Sequence, residues 1–176
     1  MNRLNRIAVS STFAVVASGA ALLIAGSLWA QPNPPQAAAQ KLSATAIQVL
    51  RTDPPKDLLI PEDFRVSTYE NVIVQLEKTK KFKNVYRDGD RRAADVTDLI
   101  TLRLVPSAYT AGSQKKREVT TIKGATSISF TVTFVDRSGK VLLEKELEGK
   151  VRFYGENLRA TYDLAKKVAQ TVNDNF

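Results

Sequence analysis

The sequence predicts an α/β domain of the α+β type, a mostly antiparallel sheet of about four or five strands packed by two amphipathic helices. Three observations predict it. Residues 127–136 alternate, with Ile128, Phe130, Val132 and Phe134 on one side and Ser129, Thr131 and Thr133 on the other. That is the period-two signature of a half-buried antiparallel strand. Two other stretches, 61–83 and 156–173, space their apolar residues as one face of a helix does. Proline and glycine mark turns between these segments.

An N-terminal signal or anchor helix precedes the domain. Arg3 and Arg6 are followed by residues 7–30, IAVSSTFAVVASGAALLIAGSLWA, without a charge. Arginine stays on the cytoplasmic side while the apolar run partitions into lipid, which is the pattern of export. Residues 13–24 resemble a signal-peptide core, and Ala30, with Leu28 two before it, or 25–27 offers a cleavage site. The whole run is also long enough to span a bilayer, which takes about 20 residues. The chain is therefore expected to be exported: periplasmic and cleaved, or anchored to the inner membrane by residues 7–30. Cysteine is absent, so a lipid-modified amino terminus is excluded.

Residues 31–43 form a Pro/Ala/Gln-rich linker, opening QPNPPQAAAQ, and 44–176 is expected to be one domain. Its elements follow in order. Residues 44–50 read as a first strand closed by Pro54 and Pro55, which cannot donate ladder hydrogen bonds. Pro61 opens a helix whose first turn carries Glu62 and Asp63, where the helix dipole favours negative charge. Phe64, Tyr69, Val72, Ile73, Leu76 and Phe82 supply its apolar stripe, and Lys78, Lys80, Lys81 and Lys83 crowd its carboxyl end. A short strand at 84–86 leads to the turn Asp88, Gly89, Asp90. A strand from 99 to 105 is expected to stop at Pro106. The alternating strand turns through 136–139 into a second, 141–153, giving a hairpin. Glu144, Lys145, Glu146 and Glu148 mark that second strand as solvent-facing or at a sheet edge. The closing helix carries Leu158, Tyr162, Ala165, Ala169, Val172 and Phe176, a narrow stripe that suits packing on the sheet or a coiled-coil seam.

Composition bounds the chemistry. Taking Arg3 and Arg6 from the 26 Lys and Arg leaves 24 against 18 Asp and Glu, so residues 31–176 carry a net charge of +6. Histidine is absent as well as cysteine. Nucleophile–histidine arrangements and imidazole or thiolate zinc sites are thereby closed. The chain is expected to be no enzyme and to need no cofactor. A carboxylate-based hydrolase is the remote alternative, with Asp88, Asp90 and Glu118 as its clustered candidates. Asp88, Asp90, Asp95 and Asp98 lack the spacing of a calcium loop and read as a turn. Tyr109, Tyr154 and Tyr162 read as packing residues, and no catalytic, cofactor or metal residue is assigned.

Some local patterns resemble a known family. The segment 76–85, LEKTKKFKNV, ends a helix in basic residues and phenylalanine before a valine strand, and 130–142, FTVTFVDRSGKVL, is a strand–Asp–x–x–Gly–x–Val–Leu hairpin. With the helix after Gly155, they resemble the bacterial exported domain-of-unknown-function family 4410 over residues 44–176. The resemblance implies a fold similar to the amino-terminal domain of the Tol-system periplasmic propeller protein and to the core of curli-type secretion channels. It also implies function by binding envelope proteins, with no residue role to carry over.

Three basic clusters are candidates for contact with an anionic membrane or cell-wall surface: Lys78, Lys80, Lys81 and Lys83; Arg91 and Arg92; Lys115, Lys116 and Arg117. A solvated helix end and two polar loops are the reading favoured over such contact, with Glu77, Asp88, Asp90 and Glu118 cancelling much of the field. No nucleic-acid recognition element is present. The expected role is a non-catalytic cell-envelope binding or assembly module whose partners are envelope proteins.

Overall fold

Each strand is set by a sequence signal that the neighbouring helices then use. The computed structural model describes residues 41–120, 124–153 and 155–176, so the leader, the linker through residue 40, and Tyr154 lie outside the described residues. β1 (Ala46–Leu50) stops before the two prolines, and α1 (Glu62–Thr79) follows with Glu62 and Asp63 in its first turn and Lys78 in its last. Phe64, Tyr69, Val72, Ile73 and Leu76 are buried on it as the stripe requires, and Phe82 beyond it is buried too. At the end of α1 Lys80 takes a left-handed conformation, φ 56°, which turns the chain into β2 (Asn84–Tyr86). β3 (Leu99–Thr110), α2 (Gln114–Val119), β4 (Thr126–Val135), β5 (Val141–Val151) and α3 (Arg159–Asn175) complete the order.

The sheet runs β2-β1-β3-β4-β5. Its two long ladders, β3 with β4 and β4 with β5, are antiparallel. β1 lies parallel to both neighbours, because each is reached by a crossover and not by a tight turn. The hairpin turn is held by the Asp136 carboxylate, which accepts from the amides of Ser138 and Lys140, and by Gly139 at φ 87°. β5 is the sheet edge that its charges announce.

Four expectations are corrected. β3 does not stop at Pro106 but runs to Thr110, with a register shift between Pro106 and Ala108. The reason is that β1 pairs no further than Arg103. The Leu104 carbonyl accepts from Thr52 on that side, and backbone groups two residues apart point the same way, so the Pro106 nitrogen faces vacated space and costs no ladder bond. The Lys115, Lys116 and Arg117 cluster lies on a helix and not on a loop. Ser113 caps α2 by accepting from the Lys116 amide, and a short 3-10 turn, Arg91–Asp95, is capped likewise by Asp90. β5 ends at Val151 and not at 153. Finally, α3 begins at Arg159, and its stripe is wider than the seam of threes and fours. Ala160, Thr161, Leu164, Ala165, Val168, Ala169 and Val172 are buried, while Tyr162 is 41% exposed.

That wider face is what covering a sheet demands. α1 and α3 pack side by side on one face, over Ile47, Leu102, Ile128, Phe130, Val132 and Phe134. α3 comes so close to β5 that a side chain at residue 149 would meet the Ala160 carbonyl at 2.0 Å, which is why Gly149 stands there. Phe176 fills one end of this core against Phe82 and Phe134, with ring centres 5.5 and 5.6 Å away. The opposite face has only a small cluster, Ala46, Tyr86, Ala93 and Leu99, under the 3-10 turn. Elsewhere no helix covers that face among the described residues, and its β4 and β5 residues are Ser127, Ser129, Thr131, Thr133, Glu144, Glu146 and Glu148.

Candidate functional site

Two of the three basic clusters meet at one place. Lys80 and Lys83, from the α1–β2 connection, line an open groove of about 400 Å³ along β2 together with Arg92 from the 3-10 turn, with Glu77 at its rim and Tyr86 in its wall. Arg92 is held there by Asp90 at 2.7 Å, and its guanidinium lies 5.8 Å from the Tyr86 ring. The hydrogen bond from Arg92 holds the Asp90 carboxyl below the usual carboxylate range. Among the described residues Lys80 and Lys83 make no ion pair. Lys78 and Arg91 are exposed nearby in sequence, and Lys81 donates to the Phe176 carbonyl oxygen at 3.3 Å.

The third cluster divides. Lys115 and Lys116 are exposed on α2, which follows Thr110, the far end of β3 from the Ala46–Leu99 pairing. Arg117 is not a surface residue at all: it is 2% exposed. Its guanidinium donates to the carbonyls of Phe153 (3.0 Å), Gly124 (2.6 Å) and Gly155 (2.7 Å), to Asn157 Oδ1 (2.9 Å) and to Thr126 Oγ1 (3.3 Å). An arginine presents five donors in a fixed fork, and here all face neutral oxygens that would otherwise be buried without partners. Arg117 ties α2, the start of β4 and the approach to α3 together, so it cannot touch an outside anion.

The carboxylates named in the sequence have local duties. Asp88 accepts from the Arg51 amide and Glu118 from Gln114, while Asp98 accepts from Thr45. Among the described residues no group of three or more acidic side chains is placed to hold a metal ion. The row on β5 is different. Glu144 accepts from Thr133 at 3.1 Å and Glu146 from Ser107 at 2.9 Å, and neither pairs with a cation among the described residues. Glu148 is paired with Lys150, whose hydrogen bond pulls its carboxyl below the ordinary range. The sequence marks these residues as edge charges; that hydroxyls on β3 and β4 donate to two of them is something no local pattern reveals.

A second concavity, a cleft of about 50 Å³, opens where β1 has ended beside β3. Leu104, Pro106, Phe130 and Val66 line it, and the buried hydroxyl of Thr68 there has no partner among the described residues. Arg51 stands at its rim, 4.7 Å from the Tyr69 ring. The room suits a few waters or the tip of one side chain. Of the tyrosines, Tyr109 packs edge-on to Phe64 at 5.1 Å, and burial pushes its hydroxyl up in pKa. Tyr162 lies beneath Lys166 on the outside of α3.

These features define a two-layer α+β domain whose sheet is covered by helices on one face, with a basic groove along the β2 edge and acidic residues on β5. Among solved structures that fold is shared with PelC from Paraburkholderia phytofirmans. A point variant of the PelC dodecamer matches with a TM-score of 0.56 at 14% identity, over 76% of this chain and 92% of that one. A second PelC dodecamer structure matches with a TM-score of 0.55 at 13% identity, over 73% and 90%. A minor lipoprotein from Acinetobacter baumannii matches at 12% identity over 76% and 94%, with a TM-score of 0.46. At these identities the likeness is one of fold. No protein-family model and no curated protein matches the sequence, so the resemblance to the exported family of unknown function stays an expectation. No helix among the described residues is long and apolar enough to cross a membrane.

Proposed function

We propose that the chain is an exported, periplasmic module of the cell envelope that works by binding other envelope proteins and performs no catalysis. The observation that carries this reading is the arginine-flanked, uncharged run of residues 7–30 ahead of an α+β domain. It is supported by the lack of histidine and cysteine, which closes the commonest nucleophilic chemistries, and by a fold shared with a protein that stands as a dodecamer. The resemblance to the exported family of unknown function points the same way. The test is crosslinking in intact cells followed by recovery of the full chain from the envelope. Discrete crosslinked products are expected, and recovery of the chain alone under several crosslinkers would overturn the reading. A reporter fused after Phe176 is expected to be active only outside the cytoplasm.

A second reading is favoured by Lys80, Lys83 and Arg92 lining one groove. In it the domain attaches electrostatically to anionic lipid or cell-wall polymer. It predicts binding to anionic vesicles that weakens steeply with salt, and equal binding to neutral vesicles would reject it.

A further inference from the structure

We propose that one partner of this domain is a second copy of itself, with the Glu144 and Glu146 edge of one molecule docking into the Lys80, Lys83 and Arg92 groove of the next. The proposal rests on the binding-module reading above and adds the partner and the two surfaces. Its ground is charge complementarity between the two ends of a single sheet. β2 and β5 are the outermost strands of the order β2-β1-β3-β4-β5. The groove along β2 brings together two lysines without an ion pair among the described residues and an arginine held in place by Asp90. Lys80 also keeps its place in a left-handed conformation, φ 56°, that glycine would take without strain.

The opposite edge offers the matching charge in a fixed geometry. Glu144 and Glu146 are two residues apart on one strand, so they project from the same face with roughly 7 Å between their positions. Hydrogen bonds from Thr133 and Ser107 orient their carboxylates without neutralising them. The contact runs through side chains and not through an added strand ladder. On β5 the Glu148 carbonyl already accepts from Lys167, and the Lys150 amide donates to Asp163, so α3 occupies backbone groups that a new strand would need. Because the two surfaces are different and lie at opposite ends of the sheet, the contact is head-to-tail. Such a contact closes into a ring where the rotation permits and otherwise extends as a filament.

Charge exchange tests this. The full chain is purified in detergent micelles and followed by sedimentation velocity over a concentration series at low and high salt. Wild type is expected to self-associate, more weakly as salt rises. The double variant Glu144→Lys/Glu146→Lys and the double variant Lys80→Glu/Lys83→Glu should each weaken association by roughly tenfold or more, since like charges then face each other. Mixed one to one, the two variants should associate again, as each supplies the edge the other lacks. The quadruple variant should self-associate like wild type. All four positions are exposed, and an unchanged melting curve for each variant checks that its fold is intact. Association that ignores both exchanges overturns these surfaces but leaves the binding-module reading standing. A wild-type chain that stays monomeric throughout overturns the self-association. Capture of that monomer by anionic vesicles through Lys80 and Lys83 would give the groove to lipid instead.

Discussion

The two faces of the sheet are built from the same strands and serve opposite ends. On β4, Ile128, Phe130, Val132 and Phe134 point into the helices, and three of these four are fully buried. Of the residues that alternate with them, Ser127, Ser129 and Thr131 stay half-exposed beside a row of glutamates on β5, while Thr133 is buried. One face is therefore where stability resides, and the other carries polar groups that contribute little to folding and are available for contact. The comparison teaches that candidate functional residues are better sought along the open face and the sheet edges than in the strongest sequence signals, which describe the core.

The sharpest way to test the division is to damage the covered face. Phe134 is fully buried between the helices and touches Phe176. Phe134→Ala should destabilise the domain by about 3–5 kcal/mol, combining lost transfer energy with the cavity left behind. On the open side of the same strand, Thr131→Val should move stability by no more than about 0.5 kcal/mol. Chemical denaturation of both variants checks the pair. A loss for Thr131→Val as large as that for Phe134→Ala would mean that the open face is covered by something in the folded protein.

Arg117 breaks the rule that charges lie outside, and it predicts an intermediate effect. Its removal strands oxygens from Gly124, Phe153, Gly155, Asn157 and Thr126. Arg117→Met should cost about 2–4 kcal/mol, less than the sum of five lost bonds because water can enter the loops and a buried charge is removed. Arg117→Lys should not restore stability, since one ammonium cannot reach acceptors spread around a planar fork. Thermal melts of the two variants check this, and near-normal stability in both would show the loops to be held by other means.

Much of the fold is legible in the sequence because it rests on local signals. The period of 127–136, the acidic start and basic end of α1, and the turn at Asp136 and Gly139 all specify their elements within a few residues. What local reading misses is decided at a distance. Pro106 reads as a strand stop, yet it is tolerated because a different strand, β1, has already ended. Tyr162 reads as part of an apolar stripe, yet the width of the sheet beneath α3 selects Leu164 and Val168 instead. Arg117 reads like Lys115 and Lys116 beside it, and only the closing around it of two segments, one at Gly124 and Thr126 and one from Phe153 to Asn157, buries the charge. The candidate groove was half legible. Lys80 and Lys83 stand close in sequence, but Arg92 joins them through the 3-10 turn that the sequence did not announce.

The smallest expected effect is that of pH, and its direction follows from the exposed carboxylates. Hydrogen bonds from Arg87, Arg92, Ser138 and Lys150 hold Glu70, Asp90, Asp136 and Glu148 respectively below the ordinary carboxylate range. A carboxyl whose folded pKa is depressed adds stability above its unfolded value, near about 4, and loses it as pH falls through the folded value. All four sites are at or near the surface, where solvent screens the interaction, so each adds little. Histidine, the side chain that ordinarily titrates between about pH 5 and 8, is absent. The melting temperature should therefore be level from about pH 6 to 8 and should decline only below about pH 4.5, as the unfolded chain begins to take up protons that the folded one refuses. Calorimetry across that range checks it. A step near neutrality would require a buried group with a displaced pKa on the covered face, and would blur the distinction between a face that stabilises and a face that contacts.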